Sequence, residues 1–209
     1  MALGPKIRKM FGRHEPAVAS LYRSMFIDLD AYLARIEAWV PAPRRILEVG
    51  AGEGAVTERL DKAFPAAEIL AIDIVPTVGR LYQGSRGHVT FAQKTVQEVA
   101  AEQPASFDFV ILSDVIHHVP LALRGEIIGA LRACLAPGGS LIFKDWASSP
   151  TPIHWLCKAG DVYLTGDNVS HVTPDEAEAM IETSFGKGAV IDRATVAPWR
   201  NNFAMLVRG

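Results

Sequence analysis

Arg45-Ile46-Leu47-Glu48-Val49-Gly50-Ala51-Gly52-Glu53-Gly54 passes from an apolar run straight into a glycine-rich turn. Its first five residues make a run of strand length, apolar apart from Arg45 and Glu48. Three glycines at alternate positions follow at once, and residues 56–64 return to a helical spacing. Strand, glycine turn and helix in that order open a βαβ unit, whose crossover is right-handed. Glycines here permit a tight turn and let a ligand lie against the main chain. Residues 68–73 form the next strand and end on Asp73, about 20 residues past the loop, where a carboxylate can hold both hydroxyls of a ribose.

Outward from this unit the rhythm repeats. Residues 88–92 and 107–112 read as a third and a fourth strand, residues 121–135 as a helix, Pro137-Gly138-Gly139 as a turn and residues 140–144 as a fifth strand. Thr173-Pro174-Asp175-Glu176 is a capping box opening a further helix, with Gly186 as its stop. Two β-rich runs, 189–196 and 202–207, flank Pro198-Trp199-Arg200-Asn201 and suit a hairpin. On the N-terminal side, Val18, Leu21, Tyr22, Met25, Phe26, Leu29, Tyr32, Leu33, Ile36 and Val40 recur every three or four residues. They predict one amphipathic helix, opened near Pro16 and ended by Pro41 and Pro43. The expected architecture is α/β: a doubly wound, mainly parallel seven-stranded sheet with a C-terminal antiparallel hairpin and helices on both faces. Residues 1–43 read as a helical extension or lid. Residues 44–209 read as the main domain, with an insert at 146–172 that breaks the βα rhythm.

Composition narrows the function classes. The chain has 209 residues, 49% hydrophobic and 21% charged, which suits one soluble α/β domain. A formal net charge of -2 supplies no global positive field for nucleic acid. Cys134 and Cys157 have no CxxC spacing, and no Cys/His cluster has zinc spacing, so no metal is expected. No apolar run reaches the ~18 residues of a spanning helix, and a cytoplasmic protein, monomer or homodimer, is expected. Lys6, Arg8, Lys9 and Arg13 alternate with Ile7, Met10 and Phe11, a pattern of either weak contact with a membrane surface or a solvated terminus.

The glycine spacing narrows the nucleotide. Gly50-x-Gly52-x-Gly54 is neither the G-x-G-x-x-G of a dinucleotide site nor a phosphate loop, which needs Gly-Lys-Ser/Thr. The run 46–54 resembles the first motif of class I S-adenosylmethionine-dependent methyltransferases. Asp73 matches that family's ribose-binding acid. Residues 107–111 with 113–120 resemble its fourth strand and following loop, and 131–141 the segment entering its fifth strand. The resemblance covers roughly residues 46–144, in the family's order, and the last two strands fit its antiparallel hairpin. It implies S-adenosylmethionine as cofactor and a role for each matching position. Glu48 would brace the loop and the methionine amino group. Gly50, Ala51, Gly52 and Gly54 would form the backbone against the methionine, and Ser113 would offer a backbone contact near it. Asp73 would bind ribose and Ile74 would pack on adenine. The family often has Gly-Asp after the third strand. This chain has Lys94-Thr95, which leaves Thr95 and the amide of Val96 for the adenine edge.

Methyl transfer from a sulfonium needs a positioned acceptor and, for a hydroxyl, a base. Asp114, His117 and His118 follow the fourth strand and Asp145 ends the fifth, at the same rim of the sheet. Either histidine can take the proton, or one can anchor the loop. Asp114 and His118 match the Asp-to-His spacing of one related subgroup. The insert supplies Trp146, His154, Trp155, Tyr163 and His171 for a small-molecule acceptor pocket. Three functions remain open: methyl transfer to a small molecule, more readily O-directed; a non-catalytic S-adenosylmethionine-binding module; and a nicotinamide oxidoreductase, disfavoured by the glycine spacing.

Overall fold

The computed structural model describes residues 24–84, 87–160 and 169–209, without the side chains of 157–160. Seven strands lie in one sheet in the order β3-β2-β1-β4-β5-β7-β6. They are β1 (Arg45–Val49), β2 (Glu68–Asp73), β3 (Val89–Gln93), β4 (Phe107–Ser113), β5 (Leu135–Trp146), β6 (Val190–Thr195) and β7 (Asn202–Arg208). The first five are parallel to one another, and β7 pairs antiparallel with both β5 and β6. The sequence-based α/β architecture is therefore what the chain adopts.

Because side chains alternate across a strand, each strand feeds two cores. One face carries Ile46, Ile69, Phe109, Ile111, Ile142 and Ala204. Helices α1 (Leu29–Trp39) and α2 (Ala55–Ala63) cover it through Tyr32, Ile36, Trp39 and Leu60. The other face carries Leu47, Val110, Leu112, Leu141, Phe143 and Met205. Helices α3 (Val96–Glu102), α4 (Leu121–Cys134) and α6 (Pro174–Phe185) cover that side through Val99, Ile128, Leu131 and Ile181. Cys134 is fully buried in this cluster, and burial pushes its thiol up to about 11, so it packs as a small apolar residue.

Three boundaries differ from the sequence reading. The N-terminal helix does not run unbroken to residue 40. A fresh helix starts at Leu29, where the Asp28 carboxylate accepts from the amides of Asp30 and Ala31. The Pro137-Gly138-Gly139 turn is absorbed into β5, as a register shift between Phe107 and Phe109 of the paired strand β4. The 146–172 insert contains a helix, α5 (Pro152–Gly160). Tyr163, the basic N-terminal residues and the helical positions before residue 24 lie outside the described residues. Among the described residues no helix is long and apolar enough to cross a membrane.

Candidate active site

The glycine loop joins β1 to α2. Gly50, Gly52 and Gly54 all have positive φ, at 82°, 51° and 91°, conformations that cost a residue with a side chain about 1–2 kcal/mol each. Gly50 is also needed for space, since a Cβ there would lie 2.1 Å from Cγ2 of Val115. That contact seats the loop after β4 directly on the glycine loop. The amides of Gly50 and Ala51 both donate to the Ile72 carbonyl, at 2.8 and 3.0 Å. The amide of Gly52 donates to Oδ2 of Asp73 at 2.8 Å. These donors close on β2 rather than forming an open nest for an anion, which suits a ligand without a pyrophosphate and counts against a dinucleotide.

Asp73 therefore sits where loop and β2 meet, and its Oδ1 accepts from the Val75 amide. Ile74 beside it is 72% exposed, an apolar side chain open to an incoming ring. Glu48 is buried on β1, and burial pushes its carboxyl up to about 7; Thr57 pulls the other way, and the Asp73 charge adds to the rise. Its Oε2 has no hydrogen-bond partner. A buried acid with an orphaned oxygen beside a glycine loop fits a cationic group, as the ammonium of S-adenosylmethionine would be. Thr95 caps α3, its hydroxyl donating to Glu98 Oε2 at 2.8 Å and accepting from the Glu98 amide. That hydroxyl is thereby engaged by the cap, and Val96 behind it is buried.

The rim beyond β4 holds the acid–base groups. A 3₁₀ turn (Ile116–His118) buries His117 and leaves His118 exposed. Nδ1 of His117 lies 2.5 Å from Oδ1 of Asp145 on β5, and the His117 amide also donates to Asp145 Oδ2 at 3.3 Å. Burial alone would raise the Asp145 carboxyl. The His117 ring, the Trp146 amide and Lys144 reverse this and hold it below the usual carboxylate range. Asp114 does not take the histidine that the spacing suggested. Its backbone has φ 56°, and both its carboxylate oxygens accept from Nζ of Lys144 at 2.6 Å. The Lys144 side chain is only 2% exposed in the interior of β5, an unusual place for a lysine.

The insert converges on the same rim. The His171 ring stacks on His117 with centroids 4.9 Å apart and 13° between planes, and His118 lies 4.1 Å from His117 on centroids. His154 is 4.9 Å from His171, and its Nδ1 accepts from Trp146 Nε1 at 3.2 Å. Trp155, next to His154, is 63% exposed. Arg124, buried on α4, pins this arrangement by donating to the carbonyls of Val119 and Ser170. No group of side chains among the described residues could hold a metal ion.

Two groups escaped the sequence reading. One is Lys144, whose signal was a cation inside a buried strand. The other is Tyr32 of α1, whose hydroxyl lies 2.7 Å from Ser113 Oγ. Burial pushes its phenol far above its ordinary value, with Asp114 and Glu48 adding to the rise.

The model of the methyltransferase domain family matches residues 22–182. The ubiquinone biosynthesis O-methyltransferase of Xanthomonas campestris pv. campestris (strain B100) is 31% identical over 186 residues, covering 84% of this chain and 74% of that protein. The protein of the same name from Xanthomonas axonopodis pv. citri is 30% identical over 186 residues, with the same coverage. Among solved structures, the N-methyltransferase NodS of Bradyrhizobium japonicum in complex with S-adenosylhomocysteine superposes with a TM-score of 0.62 at 20% identity, covering 85% of this chain and 84% of that one. The pyocyanin biosynthetic protein PhzM gives 0.66 at 18% identity over 86% of this chain, which spans only 54% of that longer protein. At these identities the structural likeness speaks to the fold. The chain belongs to the methyltransferase domain family, in the class I, Rossmann-like, S-adenosylmethionine-dependent group.

Proposed function

We propose that this chain methylates a hydroxyl of a small organic acceptor, with His117 as the base and Asp145 as its orienting partner. S-adenosylmethionine supplies an activated methyl group on a sulfonium. Glu48 receives the ammonium of that donor, Asp73 its ribose hydroxyls and Ile74 its adenine, while Ser113 lines the amino-acid end. The loop around Gly50, Ala51, Gly52 and Gly54 keeps main chain, not side chain, against it. Asp145, kept ionised, accepts a hydrogen bond from Nδ1–H of His117 and so leaves Nε2 as the ring's acceptor. The acceptor hydroxyl gives its proton to Nε2 as its oxygen takes the methyl, and Asp145 stabilises the resulting imidazolium. His118, Trp146, His154, Trp155 and His171 form the acceptor side.

The observation that carries the reading is the buried pair formed by His117, on the loop seated over Gly50, and Asp145 of β5. The Xanthomonas relatives are O-methyltransferases by name, which points the same way. The reading goes with a cytoplasmic enzyme, monomer or homodimer, that acts on a small molecule and not on nucleic acid.

Calorimetry with S-adenosylmethionine and S-adenosylhomocysteine, wild type beside Asp73→Ala, tests the donor site. Binding lost in the variant supports it, and a folded wild type that binds neither ligand sinks it. A screen of phenols and aliphatic alcohols against amines then tests O-direction, which fails if only amines are methylated.

A further inference from the structure

On the face covered by α1 and α2, the last inward position of four strands turns from apolar to polar. Ile46 is followed by Glu48, Ile111 by Ser113 and Ile142 by Lys144, and on antiparallel β7 Ala204 is preceded by Asn202. The register sets them in steps: Ser113 is level with Lys144, Glu48 stands opposite Ile111, two residues short of Ser113, and Asn202 stands opposite Trp146, two residues past Lys144. A stepped polar row thus crosses the carboxyl edge of the sheet under α1. The one side chain of α1 shown reaching it by a hydrogen bond is Tyr32, 1% exposed, with its hydroxyl 2.7 Å from Ser113 Oγ and its phenol feeling the charges of Glu48 and Asp114.

This row gives the donor site a direction. Asp73 and exposed Ile74 end β2, Glu48 belongs to β1 and Ser113 ends β4, in the sheet order β2-β1-β4. Neighbouring strands lie about 4.8 Å apart, so about 10 Å separates the Asp73 end from the Ser113 end. That span matches a nucleoside joined to an amino acid. A diol belongs with the exposed carboxylate Asp73. An ammonium belongs with the orphaned Oε2 of buried Glu48, one strand nearer Tyr32.

We infer that Tyr32 is a positioning residue for the amino-acid end of the donor, acting through Ser113. The inference rests on the S-adenosylmethionine reading. Tyr32 holds the Ser113 hydroxyl against α1, which fixes the end of β4 and closes the pocket above Glu48. Because α1 begins only at its Asp28 cap, donor affinity then depends on α1 being docked.

The test compares two ligands that share adenine, ribose and thioether: S-adenosylhomocysteine, which keeps the amino acid, and 5′-methylthioadenosine, which lacks it. Binding of each is measured by calorimetry to wild type, Tyr32→Phe, Ser113→Ala and the double variant, with thermal melts alongside. Tyr32→Phe is expected to weaken S-adenosylhomocysteine about tenfold and leave methylthioadenosine unchanged, because one buried hydrogen bond is lost at the amino-acid end alone. Ser113→Ala should do the same, and the double variant should be no worse than either single one. A general packing role would lower both affinities together. An unchanged ratio of the two affinities in folded Tyr32→Phe overturns the inference and leaves the donor site standing. Binding of neither ligand by wild type overturns both.

Discussion

His117 and Asp145 meet at 2.5 Å although they come from different strands' ends, and both are buried. An imidazole held in this way has its tautomer chosen for it. Asp145→Asn keeps the shape and loses the charge. Its turnover should fall about 10²- to 10⁴-fold, the range of a lost general base. His117→Gln should fall as far, and His118→Gln much less. Steady-state rates against pH check this, because the loss in Asp145→Asn should persist at high pH. Equal losses at both histidines would remove His117 from its role.

Glu48 carries a pH signature of opposite sign to a salt-bridged acid. Its carboxyl is raised from 4.5 to about 7 by burial, so the folded chain holds the proton more tightly than the unfolded one. Between those values the unfolded chain loses its proton first, and stability falls as pH rises through the window, by about 3 kcal/mol in full. Urea unfolding at pH 5 and pH 8 should show this fall in wild type and a flat response in Glu48→Gln. The same variant should be more stable than wild type at pH 8 yet bind S-adenosylhomocysteine more weakly, having lost the partner of its ammonium.

Gly50→Ala meets two penalties, a φ of 82° and a methyl 2.1 Å from Val115 Cγ2. Stability should drop by about 2 kcal/mol or more, and donor binding with it. Adding Val115→Ala relieves the clash but not the strained backbone, so the melting temperature should recover in part only. Full recovery would show that φ imposes no constraint here.

The Lys144–Asp114 pair predicts an asymmetry. Asp114→Ala leaves a buried ammonium without its carboxylate and should cost about 2–3 kcal/mol, less than a fully buried pair because Asp114 is half exposed. Lys144→Met puts a chain of similar length into an apolar strand and should cost under about 1 kcal/mol. Chemical denaturation of both variants checks the order, and the reverse order would contradict this account.

Much of this was legible in the residues. The glycine loop, its acidic partner and the alternating elements follow from local periodicity, and the strands came out within a few residues. The pairings at the rim were not legible, because they depend on how β4 and β5 sit side by side. Spacing suggested Asp114 for His118, yet the left-handed backbone at Asp114 turns its carboxylate to Lys144, and Asp145 reaches His117 from the neighbouring strand. Tyr32 fell on the same helical stripe as Ile36 and read as core, since periodicity reports burial and says nothing of a hydroxyl's partner. The break before Leu29 could have been read from Asp28, a good capping residue inside an apolar repeat.

The entry to α1 is tied to the far end of the chain. The Asp28 amide donates to the Ala197 carbonyl, Trp199 Nε1 to the Met25 carbonyl and the Asn202 side chain to the Phe26 carbonyl, across separations of up to 176 positions. Contacts so distant along the chain close late, after the entropy of a very large loop has been overcome. An early folding species can therefore own a formed β1–β4 half-sheet and glycine loop while α1 still waits for β7. Ligand capture by such a species would be weak, and full affinity would emerge only with the slowest refolding phase.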